Sequence, residues 1–283
     1  MSEAEAITTR ELERRLFERF PEADAEAWDH VGLSVGDPTA LVRGVACALD
    51  VTPAAIREAA RLGCGVLLTH HPVCLEMPRV ISPESSGAPT PGSSVWEAIA
   101  SRVALIAMHT NLDRAACAAL AMPRALGLQA RPGIERGRAA GAPALGALSE
   151  TDAYPDVASL ARACERAFGR VAQVYGDPSW PVRRVAFYSG SMGSDGCADV
   201  RAARADVAVC GECGYHRALD LASVRVATVV LGHDVSELPH VACLRDAAVA
   251  CGVPAGDVHV LDEPRRWRRV EDFARPDDGD VRY

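Results

Sequence analysis

The sequence contains no lysine, because all 30 of its basic residues are arginine. A chain without lysine can form neither a lysine Schiff base with a carbonyl substrate nor a P-loop that holds phosphate through a lysine side chain. The sequence also lacks any apolar run close to the roughly 20 residues that span a bilayer. Its charged N-terminal segment has no apolar signal-peptide region, so we expect a cytoplasmic protein without membrane segments.

An excess of positive charge is absent as well. The 38 acidic and 30 basic residues leave a formal net charge of −8 at pH 7. Nucleic-acid phosphates favour a basic surface, so general binding to nucleic acid is not expected. The local exception is "RRWRR", which spans Arg265 to Arg269 and combines four arginines with Trp267. It is a candidate contact for a nucleotide or for nucleic acid, but its acidic context favours a solvated tail or a subunit contact.

The ten cysteines do not indicate a disulfide scaffold, because they are spread over 283 residues without a signal peptide. We interpret them as reduced and mostly buried. Cys210 and Cys213 form "CGEC", with His216 three residues further on. This spacing is compatible with part of a zinc site or with a redox pair, but a second pair of that kind is missing. We therefore predict that these two thiols are dispensable for metal binding.

Predicted strands alternate with predicted helices, which is typical of an α/β fold. Residues 42–71 form a βαβ-like unit, in which the helix 52–63 has Thr52 as cap and a proline at its first position. Residues 82–94 are rich in turn formers and predict a surface loop. The Gly- and Pro-rich segment 131–146 places a division between two α/β halves, 1–130 and 131–283.

Three predicted strands end in histidine, at the edge of the sheet where open α/β folds carry their functional sites. One strand ends in His70 and His71. The second ends in His109, with Asp113 four residues later, and the third in His233, with Glu237 four residues later. A helical turn after the strand would place histidine and carboxylate on one face. We therefore read these strand ends as candidate ligands of a divalent metal ion.

Nitrogen and oxygen ligands without thiolate suit Zn, Fe, Mn, Ni or Co and leave the identity of the metal open. Four histidines and two carboxylates are more than one tetrahedral catalytic zinc requires, and they suffice for two ions with positions open to water. This count favours a dinuclear site over a mononuclear or purely structural one.

Seven segments, taken in order, resemble the GTP cyclohydrolase 1 type 2 homologs, also called Nif-three-like proteins. They are residues 27–38, 48–73, 109–113, 144–150, 188–194, 214–220 and 232–237. The resemblance implies two α/β halves with mixed sheets flanked by helices, a two-metal centre between the halves, and assembly as a homohexamer.

The resemblance also implies a set of ligands. It assigns His70, Asp113 and Glu237 to one metal ion. It assigns His71 and His233 to the other, with Glu237 bridging both, and His109 is the next candidate. The two adjacent histidines would then face different ions. The chain departs from the usual family pattern at His30 and Glu212, where family members have Asn and Asp.

Two functions follow as hypotheses. The first is a metal-dependent hydrolase that acts on a nucleotide-like substrate, as the family name suggests. The second is a non-enzymatic metal-binding or protein-interaction scaffold. Turnover by the metal-loaded protein distinguishes them.

Overall fold

The computed structural model describes residues 7–88, 90–139, 141–263 and Trp267. Two mixed sheets form the centre of the protein. The five-stranded first sheet has the order β1 (Gly32–Val35), β4 (Ala104–Ala107), β3 (Val66–Thr69), β2 (Val45–Ala48) and β11 (Val258–Val260). Strand β1 runs antiparallel to β4, and the other neighbours are parallel.

The second sheet has six strands. Their order is β5 (Arg131–Pro132), β6 (Ala147–Glu150), β8 (Arg184–Ser191), β9 (Val207–Glu212), β10 (Ala227–Val230) and β7 (Gln173–Tyr175). Strands β8, β9 and β10 are parallel, whereas the remaining pairs are antiparallel. The predicted fold class, two mixed α/β sheets flanked by helices, is confirmed.

Side-chain caps mark the starts of three helices, and the start of α2 agrees with the cap predicted at Thr52. Thr8 caps α1 (Thr9–Arg19), Thr52 caps α2 (Pro53–Arg61), and Asp156 caps α7 (Val157–Phe168) through side-chain oxygens that accept backbone N–H groups. The other helices are α3 (Gly92–Ser101), α4 (Thr110–Asp113), α5 (Ala116–Ala119), α6 (Ala121–Ala125), α8 (Ser194–Ala202), α9 (Tyr215–Ser223), α10 (His233–Glu237) and α11 (His240–Ala250). No helix in the described part of the chain is long and apolar enough to cross a membrane.

Both faces of the first sheet are covered. Side chains alternate between the faces of a strand, so Val45 and Cys47 pack towards α1 and α11, whereas Ala46 and Ala48 pack towards α2 and α3. The second sheet is built in the same way, with α7 on one face and α8 and α9 on the other. Double coverage explains why these strands are continuously apolar in sequence.

The first sheet contains β1 to β4 together with β11, and the second contains β5 to β10. Strand β11 pairs with β2, and α11 packs against the first sheet through Val241 and Leu244. Residues 131–283 therefore contribute to both sheets.

Two local predictions need correction. The predicted loop 82–94 contains a short 3₁₀ helix at Glu84–Ser86 and the start of α3, where Ser93 and Ser94 are buried. The sequence of residues 236–252 predicts a single helix, but the structure interrupts it at Pro239, because proline has no N–H to continue the helical hydrogen bonds. This interruption separates α10 from α11.

Candidate metal centre

The predicted site residues all lie at the carboxyl ends of parallel strands. His70 and His71 follow β3, His109 follows β4, and α10 with His233 and Glu237 follows β10. A helical turn follows each of the last two strands, as the four-residue spacing predicts. The carboxyl ends of strands from both sheets meet here, since His71 Nε2 lies 2.9 Å from Glu237 Oε2.

His70 and His71 approach different oxygens of the same carboxylate. His70 Nε2 lies 3.6 Å from Glu237 Oε1, whereas His71 Nε2 contacts Glu237 Oε2. Their other ring nitrogens are held apart: His70 Nδ1 lies 3.1 Å from the Met108 carbonyl oxygen and His71 Nδ1 lies 2.8 Å from Asp50 Oδ1. Each imidazole thus has one nitrogen anchored and the other directed at Glu237, an arrangement common in metal-ligating histidines.

Glu237 Oε2, which contacts His71, also lies 3.1 Å from His233 Nε2. His233 and Glu237 are one helical turn apart in α10. His233 Nδ1 lies 3.2 Å from Glu212 Oε2. Gly190 makes this approach of α10 feasible: it has φ of 61°, and a Cβ there would lie 2.1 Å from Glu237 Oε1. Gly190, near the end of β8, therefore makes space for the buried carboxylate.

Asp113 and His109 complete the predicted set. Asp113 Oδ1 lies 3.5 Å from His70 Nε2. His109 Nδ1 lies 2.8 Å from Asp29 Oδ1, and the other Asp29 oxygen accepts the Thr110 N–H. Burial would raise the pKa of Asp29, but the hydrogen bonds from His109 and Thr110 hold it well below its usual range. Asp29 is thus an ionised carboxylate that orients His109.

A seventh residue, His240, lies in the same cluster and was missed by the sequence analysis. Its Nδ1 lies 3.5 Å from Asp113 Oδ1. Burial, together with the positive charge of His70, lowers the pKa of His240 to about 3, so its ring is neutral. The only sequence signal was its position three residues after Glu237, inside a stretch that otherwise predicts an ordinary helix.

The ligand atoms form three groups in which every atom lies within 4.8 Å of the others. These groups are His70, His71 and His109; His70, Asp113 and His240; and His71, His233 and Glu237. Several of the atoms are buried without a hydrogen-bond partner among the described residues, namely His70 Nε2, Asp113 Oδ1 and both ring nitrogens of His240. Unpartnered buried polar atoms are costly. Bound cations would satisfy them, so the donor set fits divalent metal ions with nitrogen and oxygen ligands.

Metal binding should displace protons from this cluster. Burial lowers the pKa of His71, but hydrogen bonds to Asp50 and Glu237 raise it to about 10. The hydrogen bond to Glu237 raises the pKa of His233 to about 9. Both rings are therefore protonated at pH 7 in the metal-free protein, whereas a ligand histidine must be neutral.

We expect binding of metal at pH 7 to release at least about two protons, one from each of these rings. His70 should contribute as well, because burial lowers its pKa but the charges of Asp113 and Glu237 raise it above the ordinary value. Fewer protons should be released at pH 9, and the affinity for metal should rise between pH 7 and pH 9. Calorimetric titration with metal, in buffers that differ in ionisation enthalpy, counts the protons. Equal proton release at the two pH values would contradict the expectation.

The cysteines play no part in these groups. Cys210 is fully buried in β9, where burial raises the pKa of its thiol well above the ordinary value. Cys213 lies beside Cys197, and burial raises its pKa too. None of the ten thiols is in a disulfide.

The Cys210→Ser, Cys213→Ser double variant should therefore bind the same number of metal ions as the wild type. Metal analysis after dialysis checks this, with circular dichroism to verify that the buried substitution leaves the fold intact. Loss of half or more of the metal from a folded variant would show that a thiolate is a ligand.

Two other positions singled out in the sequence are not among the three groups of candidate ligands. His30 is exposed, and its Nδ1 lies 3.2 Å from the Cys74 carbonyl oxygen. In the segment from Arg265 to Arg269, only Trp267 is within the described residues, and it is exposed; the four arginines lie outside them.

Similarity to known sequences agrees with these observations. Residues 7–250 match the family model described as Duf34/NIF3 (NGG1p interacting factor 3). A Clostridium acetobutylicum protein named GTP cyclohydrolase 1 type 2 homolog is 27% identical over 219 residues, which cover 76% of this chain and 80% of that protein. A Staphylococcus aureus protein of the same name is 40% identical over 93 residues, or 33% of this chain and 24% of that protein.

Solved structures show the same fold. A hypothetical protein of Staphylococcus aureus superposes with a TM-score of 0.82 at 22% identity, over 94% of this chain and 100% of that one. A Bacillus cereus protein related to NIF3 superposes with a TM-score of 0.77 at 19% identity, over 94% and 99%. The family match extends across both sheets and includes every residue of the cluster. The chain belongs to the Duf34/NIF3 family, as its resemblance to the GTP cyclohydrolase 1 type 2 homologs predicted.

Proposed function

We propose that this chain holds two divalent metal ions between its two sheets and uses them to hydrolyse a nucleotide-like substrate. The observation that carries the proposal is the position of the Glu237 carboxylate. One of its oxygens faces His70, while the other contacts His71 and His233. A carboxylate with a separate set of histidines at each oxygen is suited to bridging two ions.

The ligands divide as follows. We assign His70, Asp113 and Glu237 to a first metal position, and His71, His233 and Glu237 to a second. Two ions held close together supply a water molecule of lowered pKa and an electrophile for the substrate. The negative charge of Glu237 offsets the repulsion between the ions. Asp50 and Asp29 orient His71 and His109 from outside the ligand set.

A nucleotide-like substrate is supported by the surroundings of the cluster and by the name of the curated relatives. The Trp28 ring is half exposed and lies 6.0 Å from the His109 ring, in an edge-to-face arrangement. A cavity of about 600 Å³ is lined in part by Asp29, which contacts His109, and by Val73 and Met77. An exposed indole and an apolar cavity wall are each suited to a planar base.

The test is hydrolysis of a panel of nucleotides, phosphoesters and cyclic amides by the metal-loaded protein. Activity should disappear on chelation, return when metal is added back, and be absent from Glu237→Gln. Glu150→Gln, at an exposed carboxylate of β6, is the matched control and should remain active. Protein that holds two ions but turns over none of these compounds would contradict the hydrolase proposal. That result would favour the interaction scaffold, for which the family description "interacting factor" is the supporting observation.

We also propose that the protein assembles as a homohexamer, as the resemblance to its family implies. Exposed apolar side chains such as Leu41, Ile99 and Met77 provide surface for subunit contacts. Light scattering should then give a mass of about 180 kDa, six times the 30.0 kDa of one chain. A mass of one chain across micromolar concentrations would rule the assembly out.

A further inference from the structure

His240, the first residue of α11, is a buried imidazole whose ring nitrogens lack a well-formed hydrogen bond among the described residues. Its side chain is 0% exposed, and neither ring nitrogen meets hydrogen-bond geometry, although the Ala118 backbone interacts with the ring. Buried polar groups in folded proteins are almost always hydrogen-bonded or bound to an ion. The two unpartnered nitrogens of His240 therefore call for a ligand.

The ring faces the first metal position. His240 Nδ1 and His70 Nε2 each lie 3.5 Å from Asp113 Oδ1, and the two rings are 5.0 Å apart at 84°. The two nitrogen–oxygen distances of 3.5 Å exceed the ~2.7–3.2 Å of a good N–H···O bond. Two ligands about 2.1 Å from one ion lie roughly 3.3–3.7 Å apart at tetrahedral to trigonal angles. The distances thus match a shared ion better than a direct hydrogen bond to Asp113.

We propose that His240 is a ligand of the ion at the first metal position, an inference that rests on the proposed two-metal function. That position would then have two imidazoles, from His70 and His240, and two carboxylates, from Asp113 and Glu237. Four protein ligands complete a tetrahedral shell. The ion at the second position, held by His71, His233 and Glu237, would then be the one with a coordination site open to substrate.

Diffraction from crystals of the zinc-loaded wild-type protein tests the proposal directly, through anomalous scattering at the zinc edge. The expected result is two peaks, one of them within about 2.3 Å of a His240 ring nitrogen. A peak bonded to His70 and Asp113 but more than about 3 Å from both His240 nitrogens would overturn the inference and leave the proposed function intact. A single peak bonded to His240 would support the inference and contradict the two-metal centre, and the absence of peaks would overturn both.

Variants test the same point in solution. His240→Gln should weaken binding of one zinc ion at least about tenfold and leave the other unchanged. His216→Gln, at an exposed histidine of α9, is the matched control and should retain both affinities. His240→Leu is the second variant, because an apolar side chain suits the buried position and should fold without metal. Wild-type affinity for both ions in either folded variant would show that His240 is not a ligand.

Discussion

Replacing Glu237 by glutamine should deprive the protein of both metal ions. The side chain is buried, and the substitution keeps its size but removes the negative charge that faces His70, His71 and His233. Changes to residues that merely orient a ligand already cost 10–100-fold in metal affinity, so loss of a bridging carboxylate should cost at least about 100-fold for each ion. Metal counting after dialysis against a weak chelator measures the effect.

His71→Ala is the informative comparison, because it should release mainly the ion at the second position. Its neighbour His70 serves the first. The two variants should therefore differ in stoichiometry as well as in affinity, with circular dichroism to confirm that each is folded. Two tightly held ions in Glu237→Gln would show that Glu237 is not the bridge. A wild type that never holds more than one ion would refute the dinuclear centre itself.

Replacing Arg114 by methionine should cause a large loss of stability. Arg114 is only 4% exposed. Its guanidinium donates two hydrogen bonds to Glu135, at 2.9 and 2.7 Å, and contacts Glu26 and the Asp24 carbonyl oxygen. Methionine fills the space but leaves the Glu135 carboxylate without its cation. Breaking a buried ion pair on one side costs about 3–5 kcal/mol, and equilibrium unfolding in urea measures it.

A second substitution separates loss of the ion pair from loss of packing. In an Arg114→Met, Glu135→Gln double variant the carboxylate charge is gone, so the combined loss should be smaller than the sum of the two single losses. Arg57→Met is the surface control. Its partners Glu84 and Glu97 lie in or near solvent, so we expect a loss of at most about 1 kcal/mol. A comparable loss of unfolding free energy in Arg114→Met and Arg57→Met would mean that burial contributes nothing to the strength of the Arg114 ion pair.

The parts of the fold that the sequence predicts well depend on local signals. Thr52 and Pro53 mark the start of α2 because a capping hydroxyl and a residue without N–H suit the first helical turn. The apolar runs of β2 and β3 predict strands covered on both faces. The cluster of histidines was predictable for a similar reason, since the carboxyl ends of parallel strands meet at one sheet edge.

Features that depend on distant contacts were not predictable in this way. The short strand Val258–Val260 was missed because three residues are too few for a periodic pattern, and its pairing with β2 joins residues more than 200 positions apart. Arg114 and Glu135 lie on opposite sides of the predicted boundary, and nothing in either segment indicates that they form a buried pair. Their approach follows from the packing of the two sheets.

The sequence by itself therefore determined the α/β class, the start of α2 and the six candidate ligands at the strand ends, because each is specified within a few neighbouring residues. Tertiary structure decided which of these candidate ligands lie close to one another and brought His240 into the same cluster. Pro239 ends one helix, and burial of Val241 and Leu244 against the first sheet sets the place where the next begins. The distance between His240 and Asp113 results from that packing. Local patterns predict which residues approach a sheet edge, but only packed side chains set the separations on which shared ligation depends.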